Sequence, residues 1–330
     1  MTITARPGAQ QWLGLAKETT YGTPVAAPTM WIPVDSPKWE PKVTALVDQA
    51  LRGNMGTDYG QAQGMRYDEL SYKTMVYGDT IFPHLLAILG GTDTITGAGD
   101  PYTHKVSLNN SASSTLNGQP PSFTGFLYQL DGKVVQIPGM ILGSLKLAFK
   151  ADTLPTVDAA WTGLPGAFIT APTNTPGTLP PFPPFTTSIT VGGVAATQYS
   201  DCSVDITRSV SPVAVLNGTQ TPLSIFAGPL SVTGSLQAIY QGTTDQDLTN
   251  LLANTQPSLV VSIYQQADAT HPLTLQMTKI AYDSASPAGS NTSFATISSN
   301  YKALMNATDA TDGKQSPIQA KLLTTSSTPF

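Results

Sequence analysis

Apolar and polar positions alternate with period two along much of this chain. In ELSYKTMVY (Glu69–Tyr77), Leu70, Tyr72 and Val76 fall on one face and Ser71 and Lys73 on the other, which predicts a half-buried strand. The period then changes. In GDTIFPHLLAILGG, Ile81, Leu85, Ile88 and Leu89 recur at helical spacing, Asp79 or Thr80 is placed to cap the start, and Gly90–Gly91 stop the helix. Next come FTGFLYQLDGKVV, with Asp131–Gly132 as a hairpin turn, and GSLKLAFKAD, a strand aligning Leu145, Leu147 and Phe149. The second half repeats the sequence of periods. LSVTGSLQAIY places Leu230, Val232, Leu236, Ala238 and Tyr240 on one face. GTTDQDLTNLLANT then opens a helix at Thr244-x-x-Asp247, with Leu248, Leu251 and Leu252 as its stripe. SLVVSIYQQ and LTLQMTKIAYDSA follow as strands.

Strand, cap, short helix, strand, turn and strand thus occur twice, which points to an internal duplication. Tyr77–Thr80 answers Gln241–Thr244, Lys146–Phe149 answers Lys279–Tyr282, and the loop Ala50–Gly64 answers Ala214–Gly228. The first half carries an insertion between helix and hairpin, with an extra strand over Tyr102–Leu108 and a Ser-rich loop. The seam is APTNTPGTLPPFPPFTT, a Pro-rich stretch stiff enough to hold two copies at a fixed spacing. The expected divisions are an N-terminal arm (1–45), a first β domain (46–170), the linker (171–187), a second β domain (188–285) and a C-terminal extension (286–330). The expected fold is mainly β, a tandem pair of sandwiches or barrels, each flanked by one short α-helix.

Composition narrows the function. Only 11% of the 330 residues are charged, with 16 basic against 21 acidic, and no basic stripe suggests a grip on nucleic acid. Cys202 is alone, so no internal disulfide is expected. The start, MTITARPGAQQW, has no signal-peptide pattern and no apolar run is long enough for a membrane span, so a cytosolic origin without membrane attachment is expected. No catalytic motif is present, and His84, His104 and His271 lack His or Cys neighbours at ligand spacing. Asp245-Gln-Asp247 and Asp309-Ala-Thr-Asp312 are too sparse for calcium loops and read as caps and turns. No enzyme activity and no cofactor is expected. The tryptophans Trp12, Trp31, Trp39 and Trp161 fall outside the clearest strand and helix cores; those of the arm pack either on their own domain or on another subunit.

GLAKETTYGTPVAAPTMWIPV (Gly14–Val34), LRG (Leu51–Gly53) and GMRYDELSYKTMVYGDTIFPHLLAILGG (Gly64–Gly91) together resemble the tail tube proteins of bacteriophages with long, non-contractile tails. The likeness covers residues 12–150 and extends less distinctly to LTLQMTKIAYDSA. It implies a virion protein whose sheets join edge to edge around a ring. Rings stack into a tube, which holds a tape-measure protein and later passes double-stranded DNA without binding it specifically. It also implies tail-completion partners and assembly in the host cytoplasm. A chain with two folds implies three chains per ring, with six as the alternative. In such proteins the long loops engage the next ring, which here assigns Arg52, Asn54, Met55, Asp58, Tyr59, Asn217, Thr219 and Gln220 to inter-ring contact. Lumen-facing residues are not identifiable at this level. Other readings are a head decoration or tail-tip protein, and a carbohydrate-binding β-sandwich.

Overall fold

The alternation at Glu69–Tyr77 belongs to the strand Gly60–Met75, which pairs antiparallel with Asp35–Asp48 in a long hairpin. A computed structural model describes residues 5–110, 117–289 and 291–330; part of the expected Ser-rich loop, 111–116, lies outside the described residues. Helix α1 (Ile81–Leu89) follows. Gly90 ends it in the left-handed region at φ 73°, donating its N–H to the Leu86 carbonyl. Phe82, His84, Leu86 and Ala87 are buried along with the expected stripe, so α1 is enclosed on all sides.

Helix α2 (Gln246–Leu252) departs from expectation. Its cap is Asp245, not Thr244, accepting from the Asp247 and Leu248 N–H groups. Leu248 and Leu251 are half-buried, Leu251 against the core, and Leu252 is exposed, so the expected stripe docks the helix only in part. Asp247 adds a polar anchor. Its buried carboxylate accepts hydroxyls from Tyr199 (2.5 Å), Tyr282 (2.8 Å) and Ser299 (2.8 Å). Three donors compensate the burial of one charge.

The main sheet runs, in antiparallel neighbours, Asp35–Asp48, Gly60–Met75, Thr153–Gly163, Lys133–Lys150, Tyr199–Val213, Ser224–Ile239, Thr296–Ala303, Ile280–Ala288. Its first four members and its last four have the same pairing order: a long hairpin, then two further strands. Two of the irregularities match as well. The pairing of Asp35–Asp48 shifts register after Val43, and that of Tyr199–Val213 after Arg208. Lys133–Lys150 shifts after Leu142, and Ile280–Ala288 after Tyr282. These bulges set Tyr282 against Leu142, not Phe149, so the likeness of Lys279–Tyr282 to Lys146–Phe149 is displaced by seven residues from the structural match.

A second layer covers one face. The first part of the 18-residue strand Lys133–Lys150 leaves the main sheet to pair with Phe123–Tyr128 and Ala167–Thr170. Phe123–Tyr128 carries Leu13–Lys17 and Met30–Ile32 beyond it. In the second half, Asp268–Met277 pairs with Leu259–Gln265 and Gln319–Thr324, and Leu259–Gln265 carries Ser188–Val191 and Val194–Ala195. Strands near both termini therefore occupy matching places. The inserted Tyr102–Ser107 pairs with Gln319–Thr324, tying the first half to the second layer of the other.

The result is mainly β with two short helices, a sandwich that does not close into a barrel. One cluster of buried apolar side chains takes members from both halves, including Leu145, Leu147, Val204, Ile206 and Phe182. Phe182 of the Pro-rich stretch is buried and its N–H donates to the Val76 carbonyl at 2.9 Å. Trp161 corrects its sequence placement. It is buried at the centre, with Nε1 donating to the Tyr72 hydroxyl at 3.1 Å.

Candidate assembly interface

Edges come first. Among the described residues, Asp35–Asp48 and Ile280–Ala288 each pair on one side only, leaving a row of backbone groups open at both ends of the main sheet. Trp39, on the first edge, is half-buried, donating Nε1 to buried Asp68 at 2.8 Å and meeting Phe168 edge-on. Prolines stand on both edges, at Pro37, Pro41 and Pro287.

The long hairpins end in two tips on the same side of the molecule. At the first, Arg52 pairs with Asp48 and lies 4.6 Å over the Tyr59 ring, while Gln49 donates to Asp58 at 2.8 Å. Asn54 and Met55 extend into solvent. At the second, Asn217 Oδ1 accepts from the Thr219 N–H (3.1 Å) and hydroxyl (2.9 Å). Gln220 leans back, its carbonyl accepting from the Arg66 N–H at 2.9 Å and its amide donating to Gln63. The structure thus groups Arg52, Asp58 and Tyr59 on one tip and Asn217 with Thr219 on the other, while Gln220, still exposed, bonds to the first hairpin. Reasoning from the sequence missed Leu51 and Leu216, fully exposed leucines at matching places, each two residues before a left-handed glycine (Gly53, φ 73°; Gly218, φ 75°). The recurring Leu-x-Gly was the available signal.

At the opposite end of the same hairpins are two clefts. One, of about 380 Å³, is lined by Trp12, Trp31, Val34, Met75, Tyr77 and Pro176. The other, of about 450 Å³, is lined by Phe149, Phe185, Thr187, Ile189, Ala195 and Tyr199. Each holds a buried polar atom without a partner among the described residues, Trp31 Nε1 and Thr187 Oγ1.

The face of the main sheet turned away from the core carries half of the ion pairs among the described residues. Lys38 and Lys42 flank Glu40, and their hydrogen bonds hold its carboxyl down to about 2. Lys42 also meets Glu69 at 3.4 Å. Lys146 stands 3.7 Å from Asp205, Lys150 3.2 Å from Asp201 and Lys302 2.9 Å from Asp283. Partial burial raises the Asp205 carboxyl, with Lys146 opposing. Lys38, Lys42, Lys146, Lys150 and Lys302 of this face are thus paired with carboxylates, while exposed Lys73, opposite Asp158 in the ladder, is in no ion pair among the described residues.

Groups with chemical potential are used internally. His84 is buried between the Tyr72 hydroxyl and the Thr80 carbonyl, both at 2.6 Å, and burial lowers its pKa to about 4. His104 bonds Asp93 and the Ser326 carbonyl; His271 lies between Asp268 and Asp100. Burial pushes the Cys202 thiol up. Asp309 accepts from Gln276, the Thr278 N–H and hydroxyl, and Asn306. Among the described residues no group of His, Cys, Asp and Glu is arranged to hold a metal, and no helix is long and apolar enough to cross a membrane.

A β-sandwich with open edges, paired tips and clefts, and its ionisable groups bonded internally has the character of a structural protein. The chain belongs to the phage tail tube protein family: the family model described as phage tail tube protein matches residues 8–320. A search of the curated proteins finds no match to it.

Proposed function

We propose that this chain is an internally duplicated tube subunit of the virion tail, three copies of which close a ring whose rings stack into a conduit for DNA. The observation that carries the reading is the recurrence, with two matching bulges, of one four-strand order within a single sheet whose two outer edges are unpaired among the described residues. The internal seam between Lys133–Lys150 and Tyr199–Val213 joins one copy to the next. Repeating that join between chains gives a closed cylinder in which no edge is left over. Strands near the termini belong to the copies on this reading, so each copy is larger than the arm and extension boundaries allow.

The main sheet becomes the wall and its charge-paired face the lumen. A wall most of whose lysines are paired with carboxylates offers phosphates little counterion release, which supports passage of double-stranded DNA without specific binding. The tape-measure and tail-completion proteins are the partners this role requires, with assembly in the host cytoplasm. Stacking uses the tips: Leu51, Met55 and Leu216 of one ring enter the clefts at the far end of the next, where Trp31 Nε1 and Thr187 Oγ1 await acceptors or donors. Strands of 14 to 16 residues are about 45–54 Å long at the usual strand rise, and the tilt that closure of the cylinder requires makes each ring shorter than that.

Electron microscopy of concentrated purified protein tests this. Hollow filaments or stacked rings with threefold symmetry are expected. Six single-fold subunits per ring, or particles that never polymerise, overturn it.

A further inference from the structure

The internal seam gives the register of the join between chains. Within the chain, Lys150 stands opposite Asp201 and Ser144 opposite Thr207, with every pair between in step. The matching bulges relate residues 203–213 to those 165 positions earlier, 38–48, as Arg208 answers Val43. They relate Lys133–Lys150 to residues 140 positions later, as Leu142 answers Tyr282. Resting on the ring reading above, we propose that Ile280–Ala288 of one chain pairs antiparallel with Asp35–Asp48 of a second copy, with Ala285 opposite Pro41, Ser286 opposite Glu40 and Pro287 opposite Trp39.

Side-chain alternation supports this register. In the internal seam, Leu145, Leu147 and Phe149 meet Cys202, Val204 and Ile206 on the core face, all buried. The other face carries Lys146–Asp205 and Lys150–Asp201. Transferred to the free edges, the core-face positions are Pro37, Trp39 and Pro41 on one strand and Ala285, Pro287 and Gly289 on the other, all without charge. The opposite face receives Lys38, Glu40 and Lys42 against Ser284 and Ser286. A slip of one residue exchanges these faces and buries the charged set.

The prolines exclude the next alternatives. Each lacks an N–H and weakens any strand pairing at its position. In the proposed register Pro37 faces Gly289, Pro41 faces Ala285 and Pro287 faces Trp39, so no proline opposes another. A slip of two residues in either direction sets Pro287 against Pro41 or Pro37. The edges are therefore blunted against indiscriminate addition of strands, and of the alignments within two residues of one another they admit one.

Directly opposed residues of an antiparallel pair lie about 4.5–5.5 Å apart at Cα, within disulfide reach. The double variant E40C/S286C, assembled at high concentration and then oxidised, tests the register. The expected product is a covalent trimer that reduction returns to monomer, with neither single variant cross-linking to it; buried Cys202 stays unreacted. E40C/P287C reports a slip of one residue and K42C/S286C a slip of two. Stronger cross-linking by either overturns the register, as does threefold wild-type assembly in which E40C/S286C, folded by circular dichroism, forms rings without the bond. Wild-type protein that forms no rings overturns the ring reading and the register with it.

Discussion

Lys150 Nζ lies 3.2 Å from Asp201 Oδ2 across the seam that joins the two halves of the chain. Four residues along, Lys146 and Asp205 repeat the contact at 3.7 Å. Both pairs lie on the face of the main sheet away from the core, and the lysines are half exposed. Pairs of this kind contribute about 0.2–1 kcal/mol to stability. Their importance lies in the charge they hide.

Removing the carboxylates separates masking from stability. D201N/D205N leaves two lysines unpaired per chain on the proposed lumen face. Thermal stability is expected to change little, whereas assembled tubes gain affinity for double-stranded DNA that weakens steeply with salt. Fluorescence anisotropy with a labelled duplex across a salt series reads this. DNA affinity unchanged from wild type removes the masking role.

The tips call for a different measurement. Leu51, Met55 and Leu216 are fully exposed in the single chain, so L51S/M55S/L216S is expected to fold with unchanged stability, within about 0.5 kcal/mol. If these side chains enter the next ring, rings form but do not stack, as sedimentation and electron microscopy show. Deleting Asn54–Gly60 is expected to have the same effect. Normal-length tubes from the triple variant exclude the leucines from stacking.

Local physics was legible where the sequence carried it locally. Leu70, Tyr72 and Val76 alternate as a strand must, and Gly90 ends α1 where a left-handed residue is needed. What failed depended on distant partners. The leucines of α2 looked like its whole anchor because nothing near Asp247 announces the hydroxyls of Tyr199, Tyr282 and Ser299. Trp161 looked peripheral because its partner, Tyr72, is far away in the chain. The arm and extension hid strands of only three to eight residues, too short for a period to show. Similar letters at Lys146 and Lys279 suggested one alignment, while the bulges at Leu142 and Tyr282, which no composition reveals, set another. Of the candidate interface, the loops were readable as loops; the edges were not, because an edge is defined by the strand it lacks.

Phe182 and Phe185 stand three residues apart in the Pro-rich stretch with opposite environments. Phe182 is buried in the shared core and Phe185 is 68% exposed. F182A is expected to cost about 3–5 kcal/mol, and F185A, measured on unassembled protein, less than about 0.5 kcal/mol. Urea denaturation of the two variants compares them. Equal, small effects contradict an anchoring role for Phe182 and return the stretch to a free spacer.

His84 supplies a pH test of the core. Its Nδ1–H donates to the Thr80 carbonyl, its Nε2 accepts from the Tyr72 hydroxyl, and Tyr72 accepts in turn from Trp161. Burial holds the ring neutral, with a pKa of about 4 in place of the ordinary 6.5. Because the folded value is depressed, the unfolded chain binds the extra proton as pH falls from about 6.5 towards 4. Stability is therefore full above that window and lost within it, by up to about 3 kcal/mol from this group. H84Q removes the titrating group. Its stability at pH 7 is lower, since the Tyr72–Thr80 link is disturbed, but its loss between pH 7 and pH 5 is smaller than that of the wild type. Denaturant midpoints at the two pH values decide the matter: parallel losses in both proteins mean that other groups, not His84, carry the acid sensitivity of this core.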